Sequence, residues 1–253
     1  MDTIMMLHGM GGPNPLNLIE EDVKKYMNVI KPVMPGFRAS DNIIDYHDEE
    51  YVEYIEQIRK DKGIEQMVVL GYSMGGRTAL NYTIQYPERV KQLILIDSAG
   101  VELLLPPLHF SWGKKVLKCI LPGLLKYNWM QEMLGKQDFV DTTSEIYQSG
   151  KQWVADMMKS KITRINFVDI LTTIGKPIVN LEEKLRKLNM PVLILWAGDD
   201  KTAKVSSAYW LKEVITTSDL YILPGYRHMA PLEKPDFYTQ HIKAFVSSTS
   251  KMH

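Results

Sequence analysis

The residues best suited to chemistry lie in the segment 71–76, whose sequence Gly-Tyr-Ser-Met-Gly-Gly places Ser73 between two glycines. The segment follows an apolar run at 67–70 and precedes a stretch with helical character. Gly-x-Ser-x-Gly between a strand and a helix is typical of a nucleophile elbow, a sharp turn that exposes a serine hydroxyl above a sheet. Gly71 and Gly75 fit this turn because a Cβ at either position would collide where the helix doubles back across the strand. The pattern therefore predicts that Ser73 is a nucleophile.

A serine becomes nucleophilic only when a base removes its proton, so the chain must also supply a histidine held by a carboxylate. His228 lies in the loop 224–228, after an apolar run at 220–223 and shortly before a predicted helix. There it would stand over the same sheet edge as Ser73, and we therefore select it as the base. The other histidines are expected to be structural or solvated, namely His8, His47, His109, His241 and His253.

The carboxylate is expected at the end of a strand between the serine and the histidine, because the chain order of this arrangement is serine, acid, histidine. Asp200 and Asp199 both follow the apolar run 192–196. We choose Asp200, with Asp199 as its competitor. Asp97, at the end of the run 93–96, is a third possibility, but capping or bracing the next turn is the simpler explanation for it.

Acyl transfer also needs two donors for the developing oxyanion, and backbone amides can supply both. One is expected from Met74, immediately after the nucleophile. The other is expected from Met10, in the glycine-rich loop after the first apolar run. Gly9 and Gly11 in this loop would let the backbone approach a substrate closely. The loop lacks the Lys-Ser/Thr ending of a P-loop and the spacing of a dinucleotide fingerprint.

The elements that must position these residues alternate along the chain. Tyr51, Ile55 and Ile58 recur at helical spacing, as do other apolar residues between the strand-like segments. The strand-like segments are short apolar runs at 4–7, 29–33, 67–70, 93–96, 192–196 and 220–223. Such alternation predicts an α/β fold, with a mostly parallel sheet of about six strands and ligand sites at the carboxyl ends of the strands.

The alternation stops between about residues 100 and 189, where no convincing strand run occurs. We therefore expect a core domain formed by 1–100 and 190–253, with a helical cap or lid at 101–189 inserted after the strand 93–96. A lid in this place would cover the strand ends, exclude water and shape a substrate pocket. A purely structural helical subdomain is the alternative.

Composition excludes several other classes of protein. The chain has 30 basic and 30 acidic residues, so it lacks the basic surface that nucleic acids require. The single cysteine, Cys119, excludes an internal disulfide and a multi-cysteine metal cluster. Residues 1–7 have neither the basic start nor the long apolar run that is typical of a signal peptide, and no apolar segment approaches the roughly 20 residues that a membrane span needs. These features predict a cytoplasmic protein with no membrane span and a small-molecule substrate, and they leave the oligomeric state open.

Five ordered segments of the chain resemble motifs of the α/β-hydrolase superfamily. Residues 7–9 resemble its oxyanion loop, and 34–41 its Pro-Gly-x-Gly-x-Ser-Asp loop, with Arg38 at a usual glycine. The others are the elbow 71–76, the acid loop 196–200, with Ala197 at a usual glycine, and the histidine loop 225–235. The resemblance implies a triad of Ser73, His228 and Asp200, with an oxyanion hole at Met10 and Met74. It implies neither a metal nor an organic cofactor.

The resemblance leaves more than one reaction open. The elbow, continued by Arg77, is also similar to that of the menaquinone-pathway lyase SHCHC synthase, in which this arginine helps to hold an anionic substrate. It is similar as well to the elbow of the meta-cleavage product hydrolases, which usually carry Trp where this chain has Met229. Alternatively, Arg77 is a helix residue that pairs with a nearby acid.

Our first hypothesis is a serine hydrolase that cleaves an ester of a small or medium, largely apolar carboxylic acid. The second is a lyase or C–C bond hydrolase that uses the same triad on an anionic substrate anchored by Arg77 and Arg38. A third, a ligand receptor with a decayed active site, should lack a member of the triad, and all three members are present.

Overall fold

The computed structural model describes residues 1–10, 14–38, 46–102 and 112–249. Six parallel strands form one sheet in the order β2-β1-β3-β4-β5-β6. They are β1 (Thr3–Leu7), β2 (Asn28–Ile30), β3 (Met67–Tyr72), β4 (Val90–Ile96), β5 (Val192–Ala197) and β6 (Ser218–Leu223). The predicted α/β fold is confirmed. Because all six strands are parallel, their carboxyl ends share one edge of the sheet, and the strand order reverses beside β1.

One predicted strand is shorter than expected. The apolar run 29–33 pairs with β1 only as far as Ile30. Pro32 has no N–H to donate to a ladder. The chain then leaves the sheet toward Met34, whose N–H donates to the ring of His8.

Eleven α-helices lie in the described part of the chain. They are α1 (Asn17–Val23), α2 (Asp48–Asp61), α3 (Met74–Gln85), α4 (Gly113–Leu124), α5 (Asn128–Gly135), α6 (Glu145–Met157), α7 (Lys161–Ile174), α8 (Leu181–Leu185), α9 (Val205–Val214), α10 (Ala230–Glu233) and α11 (Pro235–Thr249). None of them has the length and apolar character needed to cross a bilayer.

The strands divide the core into two layers because successive side chains point to opposite faces of a sheet. Along β1, Met5 and Leu7 belong to one buried cluster, whereas Ile4 and Met6 belong to another. Side chains on both faces of the central strands β3 and β5 are buried, so helices cover both faces of the sheet there.

Helices α4–α8 all fall between β4 and β5, within the interval 101–189 predicted to be helical, and no strand occurs in the part of this interval that the structure describes. A separate apolar cluster, here called the insertion cluster, holds four of its residues together: Leu125, Met130, Met158 and Val168. The domain boundaries and the role of this interval as a lid stay predictions.

Candidate active site

Ser73 lies in the turn between β3 and α3 with φ 54° and ψ −116°, a conformation that costs energy for a residue with a side chain. The turn is tight enough to exclude side chains at its two glycines. A Cβ on Gly71 would lie 2.6 Å from Cα of Gly76, and one on Gly75 would lie 2.5 Å from the carbonyl carbon of Leu7. Both glycines are therefore required by close backbone contact, as the sequence predicts.

Neighbouring strands hold the strained serine in place. The N–H of Ser73 donates to the carbonyl of Ile96 at 2.9 Å, and the N–H of Ala99 donates to the carbonyl of Ser73 at 3.0 Å. The carbonyl of Ser73 also accepts from Gly76 at 2.9 Å, in the first turn of α3. These bonds fix the backbone, so the strain at Ser73 cannot relax locally.

The structure brings Ser73, His228 and Asp200 together from loops far apart in the chain. Nε2 of His228 lies 2.9 Å from Oγ of Ser73, and Nδ1 lies 2.6 Å from Oδ2 of Asp200. All three residues are buried. With a proton on Nδ1, the ring donates to the carboxylate and presents a lone pair to the serine hydroxyl, which is the arrangement a general base requires.

The loop after β5 places only one of the two neighbouring aspartates beside His228. Oδ1 of Asp200 accepts from the backbone N–H groups of Thr202 at 2.7 Å and Ala203 at 2.8 Å, which leaves Oδ2 for His228. Asp199 is exposed, and its N–H donates to the carbonyl of Tyr226. Of the two, only Asp200 contacts His228.

Asp97 forms a third carboxylate behind the site. One oxygen or nitrogen atom each from Asp97, Asp200 and His228 lies within 4.8 Å of the others. Oδ1 of Asp97 accepts from the N–H of Ala197 at 2.7 Å, and its backbone φ is 43°. Burial, followed by the charge of Asp200, holds the pKa of Asp97 well above its usual range. Both ring nitrogens of His228 are engaged by Asp200 and Ser73, so hydrogen bonding explains this cluster better than metal binding.

Two residues of the site were not predicted from the sequence. The hydroxyl of Tyr72 donates to the carbonyl of His228 at 2.8 Å, and the two rings lie 5.2 Å apart. Asp138, from the helical interval, accepts from the hydroxyl of Thr202 at 2.6 Å, and its carbonyl accepts from the N–H of Met229 at 2.9 Å. Tyr72 directly precedes the elbow serine, and this position in the sequence could have indicated that it belongs to the site. Asp138 lies in no motif, so nothing in the sequence indicated its place there.

Three carboxylates set the charge on His228. Burial of the imidazole opposes its protonation, but the negative charges of Asp200, Asp138 and Asp97 outweigh it and raise the pKa of His228 to about 9. Burial also raises the pKa of Asp138 itself.

Replacing Asp138 with asparagine is therefore expected to shift the pH dependence of activity. A base must be neutral to accept a proton, so activity should fall as the pH drops through the pKa of His228. Without the charge of Asp138 this pKa falls, and the acid limb of kcat/KM should move by about one unit to lower pH. Asp141→Asn, at an exposed carboxylate three residues away, should leave the limb in place. An unchanged limb in Asp138→Asn would show that this charge does not act on the base.

The predicted oxyanion loop lies against the serine. A Cβ on Gly9 would lie 3.1 Å from Cβ of Ser73, so the backbone that leads to Met10 passes close to the nucleophile. Met74 is the first residue of α3, where a helix leaves N–H groups without intrahelical partners. Gly11 lies outside the described residues. The arrangement is compatible with oxyanion donors at Met10 and Met74, and that role stays a prediction.

His8 fixes the shape of this loop and is not part of the triad. Its Nε2 accepts from the N–H of Met34 at 2.9 Å, so Nδ1 carries the proton and donates to the carbonyl of Gly9 at 2.7 Å. Burial lowers the pKa of His8 to about 4. A neutral His8 with a hydrogen bond at each ring nitrogen agrees with the structural role expected from the sequence.

The two arginines suggested as substrate anchors are engaged elsewhere. Nε and Nη2 of Arg77 donate to the two carboxylate oxygens of Asp48 at 2.8 and 2.6 Å, and Nη1 donates to the carbonyl of Lys176. Nη2 of Arg38 donates to the carbonyl of Val33 and to the hydroxyl of Tyr54. None of these contacts involves Ser73, His228 or Asp200. Arg77 instead pairs with Asp48, as the alternative expectation stated.

Arg77→Met is accordingly expected to affect stability more than substrate binding. The Arg77 residue is 4% exposed, and removing one partner of a buried ion pair costs about 3–5 kcal/mol. Thermal unfolding should show this loss, while KM for an ester should stay within about twofold of wild type. Arg186→Met, which removes an exposed pair with Glu182, is the control and should cost less than about 1 kcal/mol. A large rise in KM with unchanged stability would restore Arg77 as a substrate anchor.

An apolar pocket of about 480 Å³ lies beside the histidine loop. Met229, the residue after His228, forms part of its wall. Other apolar walls come from α1, α6, α10 and the segment before α6, and include Leu18, Phe139, Tyr147, Val154 and Leu232. Carbon surface dominates this lining, and charged residues of both signs also border it, namely Glu132, Lys136, Glu145 and Lys151, so the pocket suits a largely apolar group.

Comparisons with known proteins agree with this architecture. Residues 2–130 match the model of the family described as alpha/beta hydrolase fold. A 2-hydroxy-6-oxononadienedioate/2-hydroxy-6-oxononatrienedioate hydrolase of Pseudomonas putida is 25% identical, over 97% of this chain and 88% of its own length. Lipase 3 of Moraxella sp. (strain TA144) is 25% identical, over 99% of this chain and 79% of its own. The crystal structure of a serine hydrolase from Cycloclasticus zankles superposes with a TM-score of 0.80 at 20% identity, covering 98% of this chain and 91% of that one.

Proposed function

Because the chain belongs to the α/β-hydrolase fold family, we propose that it is a serine hydrolase that cleaves esters of small or medium, largely apolar carboxylic acids. The observation that carries the proposal is the continuous line of hydrogen bonds from Ser73 through His228 to Asp200. Named relatives that cover nearly the whole chain are hydrolases, which supports an enzyme of this general class.

The geometry suits a two-step acyl transfer. Oγ of Ser73 attacks the ester carbonyl while Nε2 of His228 takes its proton, and the oxyanion accepts hydrogen bonds from the N–H groups of Met10 and Met74. Collapse breaks the bond to the alcohol oxygen, which receives the proton from His228. Water, deprotonated by the same nitrogen, then attacks the acyl-enzyme. Collapse breaks the bond between the acyl carbon and Oγ, and Oγ takes the proton back from Nε2 as the acid leaves. Asp200 holds the tautomer throughout.

The apolar pocket supports an apolar acyl or alcohol group. It lies next to His228 through Met229 and has room for a chain of several carbons. Arg77 and Arg38, the groups considered for an anionic substrate, already donate to protein acceptors. We therefore favour uncharged esters over carboxylate-bearing substrates.

The proposal is tested by labelling with a fluorophosphonate probe, which forms a covalent bond only with an activated serine. Mass spectrometry of the wild-type protein is expected to find the probe on the peptide that contains Ser73. Ser73→Ala should abolish labelling and reduce ester turnover by at least about a thousandfold. Ser98→Ala, at a buried serine close to the elbow, should label normally. Labelling that persists in Ser73→Ala contradicts the assignment.

A second candidate is cleavage of a carbon–carbon bond by the same triad. It is favoured by the relative from Pseudomonas putida, whose name specifies a dicarboxylate substrate. A panel of p-nitrophenyl esters of increasing acyl length, run beside a 2-hydroxy-6-oxo-dienoic acid, separates the two. Turnover of the dienoic acid without turnover of any ester would select the second candidate. The enzyme would then need groups other than the engaged Arg77 and Arg38 to bind the substrate carboxylate.

A further inference from the structure

A short segment of the helical interval between β4 and β5 is tied to the loop that carries the proposed base. We call residues 138–141 the strap. The N–H of Met229 donates to the carbonyl of Asp138 at 2.9 Å, and Nη1 of Arg227 donates to the carbonyl of Phe139 at 2.9 Å. Met229 and Arg227 flank the histidine in the chain. The strap is therefore bonded to the histidine loop on both sides of the base.

Two further contacts hold the main chain of the strap. The carboxylate of Glu233 on α10 accepts from the N–H groups of Val140 at 3.0 Å and Asp141 at 3.1 Å. The ring of Phe139 is buried and packs edge-on against Tyr147 of α6, with the ring centroids 5.2 Å apart. Since the backbone is held at several points, the first side chain of the strap can change its position mainly by rotation.

That side chain is the carboxylate of Asp138, which is bound by a residue of the loop after β5. Oγ1 of Thr202 donates to Oδ1 of Asp138 at 2.6 Å, while the N–H of Thr202 donates to Oδ1 of Asp200 at 2.7 Å. Burial raises the pKa of Asp138, whereas the charge of His228 and the hydroxyl of Thr202 lower it. Thr202 thus binds two carboxylates, and its hydroxyl favours the charged form of Asp138.

We propose that Thr202 is a positioning residue, whose hydroxyl holds the negative charge of the strap beside the base. The inference rests on the proposed function, in which His228 takes a proton from Ser73. Asp138 would then stabilise the imidazolium with a charge that the helical interval supplies. Without the hydroxyl, the buried carboxylate would lose a donor, and it would become protonated or rotate toward water. Either change would remove negative charge from the surroundings of the imidazole.

Several other groups that titrate or carry charge surround the same ring. They are Asp97 after β4, Asp200 after β5, Tyr72 at the end of β3, Arg227 on the histidine loop, and Tyr238 of α11 behind Asp97. Burial opposes protonation of His228, and the carboxylates favour it. Thr202→Val changes none of these groups and keeps the N–H that donates to Asp200. A shift caused by this variant must therefore act through the hydroxyl.

The test is an NMR titration of the His228 ring in the full-length protein, with its signal assigned by its loss in His228→Gln. The pKa of His228 is expected at about 9 in the wild-type protein. Thr202→Val, which has nearly the same shape but lacks the hydroxyl, should lower this pKa by at least about half a unit. Thr202→Ser keeps the hydroxyl and should stay within about 0.2 unit of wild type. Thr216→Val, at an exposed threonine after α9, is the control and should change nothing.

A double variant shows whether Thr202 acts through the strap. Asp138→Asn removes the same charge and should lower the pKa of His228 by about one unit. Adding Thr202→Val to Asp138→Asn should shift it by less than about 0.2 unit more, because the two changes act on one charge. The acid limb of kcat/KM for an ester should move in the same direction as the pKa in each variant.

The proposal is overturned if folded Thr202→Val titrates like wild type, if Thr202→Ser shifts as much as Thr202→Val, or if the shifts of Thr202→Val and Asp138→Asn add. Circular dichroism checks the folding of each preparation, and Thr202→Ala, which also lacks the hydroxyl, is used if Thr202→Val does not fold. Failure of the proposed function is seen separately, as absence of fluorophosphonate labelling at Ser73. The titration needs no substrate, so the two failures are distinguishable.

Discussion

Replacing Asp200 with asparagine is expected to lower kcat/KM for an ester by about 10⁴-fold. The backbone N–H groups of Thr202 and Ala203 require an acceptor, so the amide oxygen of the new side chain would stay with them. Its NH₂ group would then face Nδ1 of His228, which must become an acceptor. The ring proton moves to Nε2, and the nitrogen that faces Ser73 can no longer take a proton.

Two further variants serve as controls for Asp200→Asn. Asp199→Asn changes the neighbouring, exposed carboxylate and should leave kcat/KM within about twofold of wild type. Asp97→Asn tests the third carboxylate, which lies near the same imidazole but accepts from Ala197. If Asp97→Asn lost the activity and Asp200→Asn kept it, the acid of the triad would be Asp97 and our assignment would be wrong.

Gly75→Ala is expected to have the largest effect on stability. A Cβ there would meet the backbone of β1, 2.5 Å from the carbonyl carbon of Leu7 and 2.8 Å from the carbonyl oxygen of His8. Neither strand nor helix can retreat cheaply, because both are packed in the core. We expect a loss of about 3–5 kcal/mol, which corresponds to a fall of about 10 °C in Tm for a chain of this length.

The control for this variant is Gly123→Ala. Gly123 lies in α4, and no atom outside its own helix turn comes within 4 Å of a Cβ built there. Alanine is the better helix former, so Tm should be unchanged or slightly higher. Thermal unfolding of both variants by circular dichroism measures the difference. If Gly75→Ala and Gly123→Ala had the same Tm, the backbone around Gly75 would have room for a Cβ and our interpretation of the elbow would be wrong.

The positions of Ser73 and His228 at one edge of the sheet could be predicted because the sequence pattern shows where strands end. The six apolar runs became six parallel strands, and parallel strands bring their carboxyl ends to one edge. Ser73 and His228 each follow such a run and are separated by 155 positions, yet they lie at hydrogen-bond distance. Their meeting therefore follows from strand register and right-handed connections, which are general properties of α/β folds.

Groups that depend on side-chain partners could not be predicted in the same way. The position of Arg77 directly after the elbow left open a substrate anchor or a helix residue paired with an acid, and only the structure identifies Asp48, 29 residues earlier, as its partner. Tyr72 contacts His228, which is 156 positions away, and Asp138 contacts Thr202 in the loop that carries Asp200, which is 64 positions away. No local periodicity encodes such pairs, because they arise only when separate loops are packed side by side.

The amino-acid sequence by itself determined the sheet, the strained turn at Ser73 and the loop that carries His228. These features rest on apolar periodicity and on glycines that a tight turn requires, and both are properties of neighbouring residues. Only the tertiary structure distinguished Asp200 from Asp199. The two side chains point in different directions, so Asp199 is exposed and Asp200 is buried. A buried carboxylate needs hydrogen-bond donors, and the N–H groups of Thr202 and Ala203 supply them to Asp200.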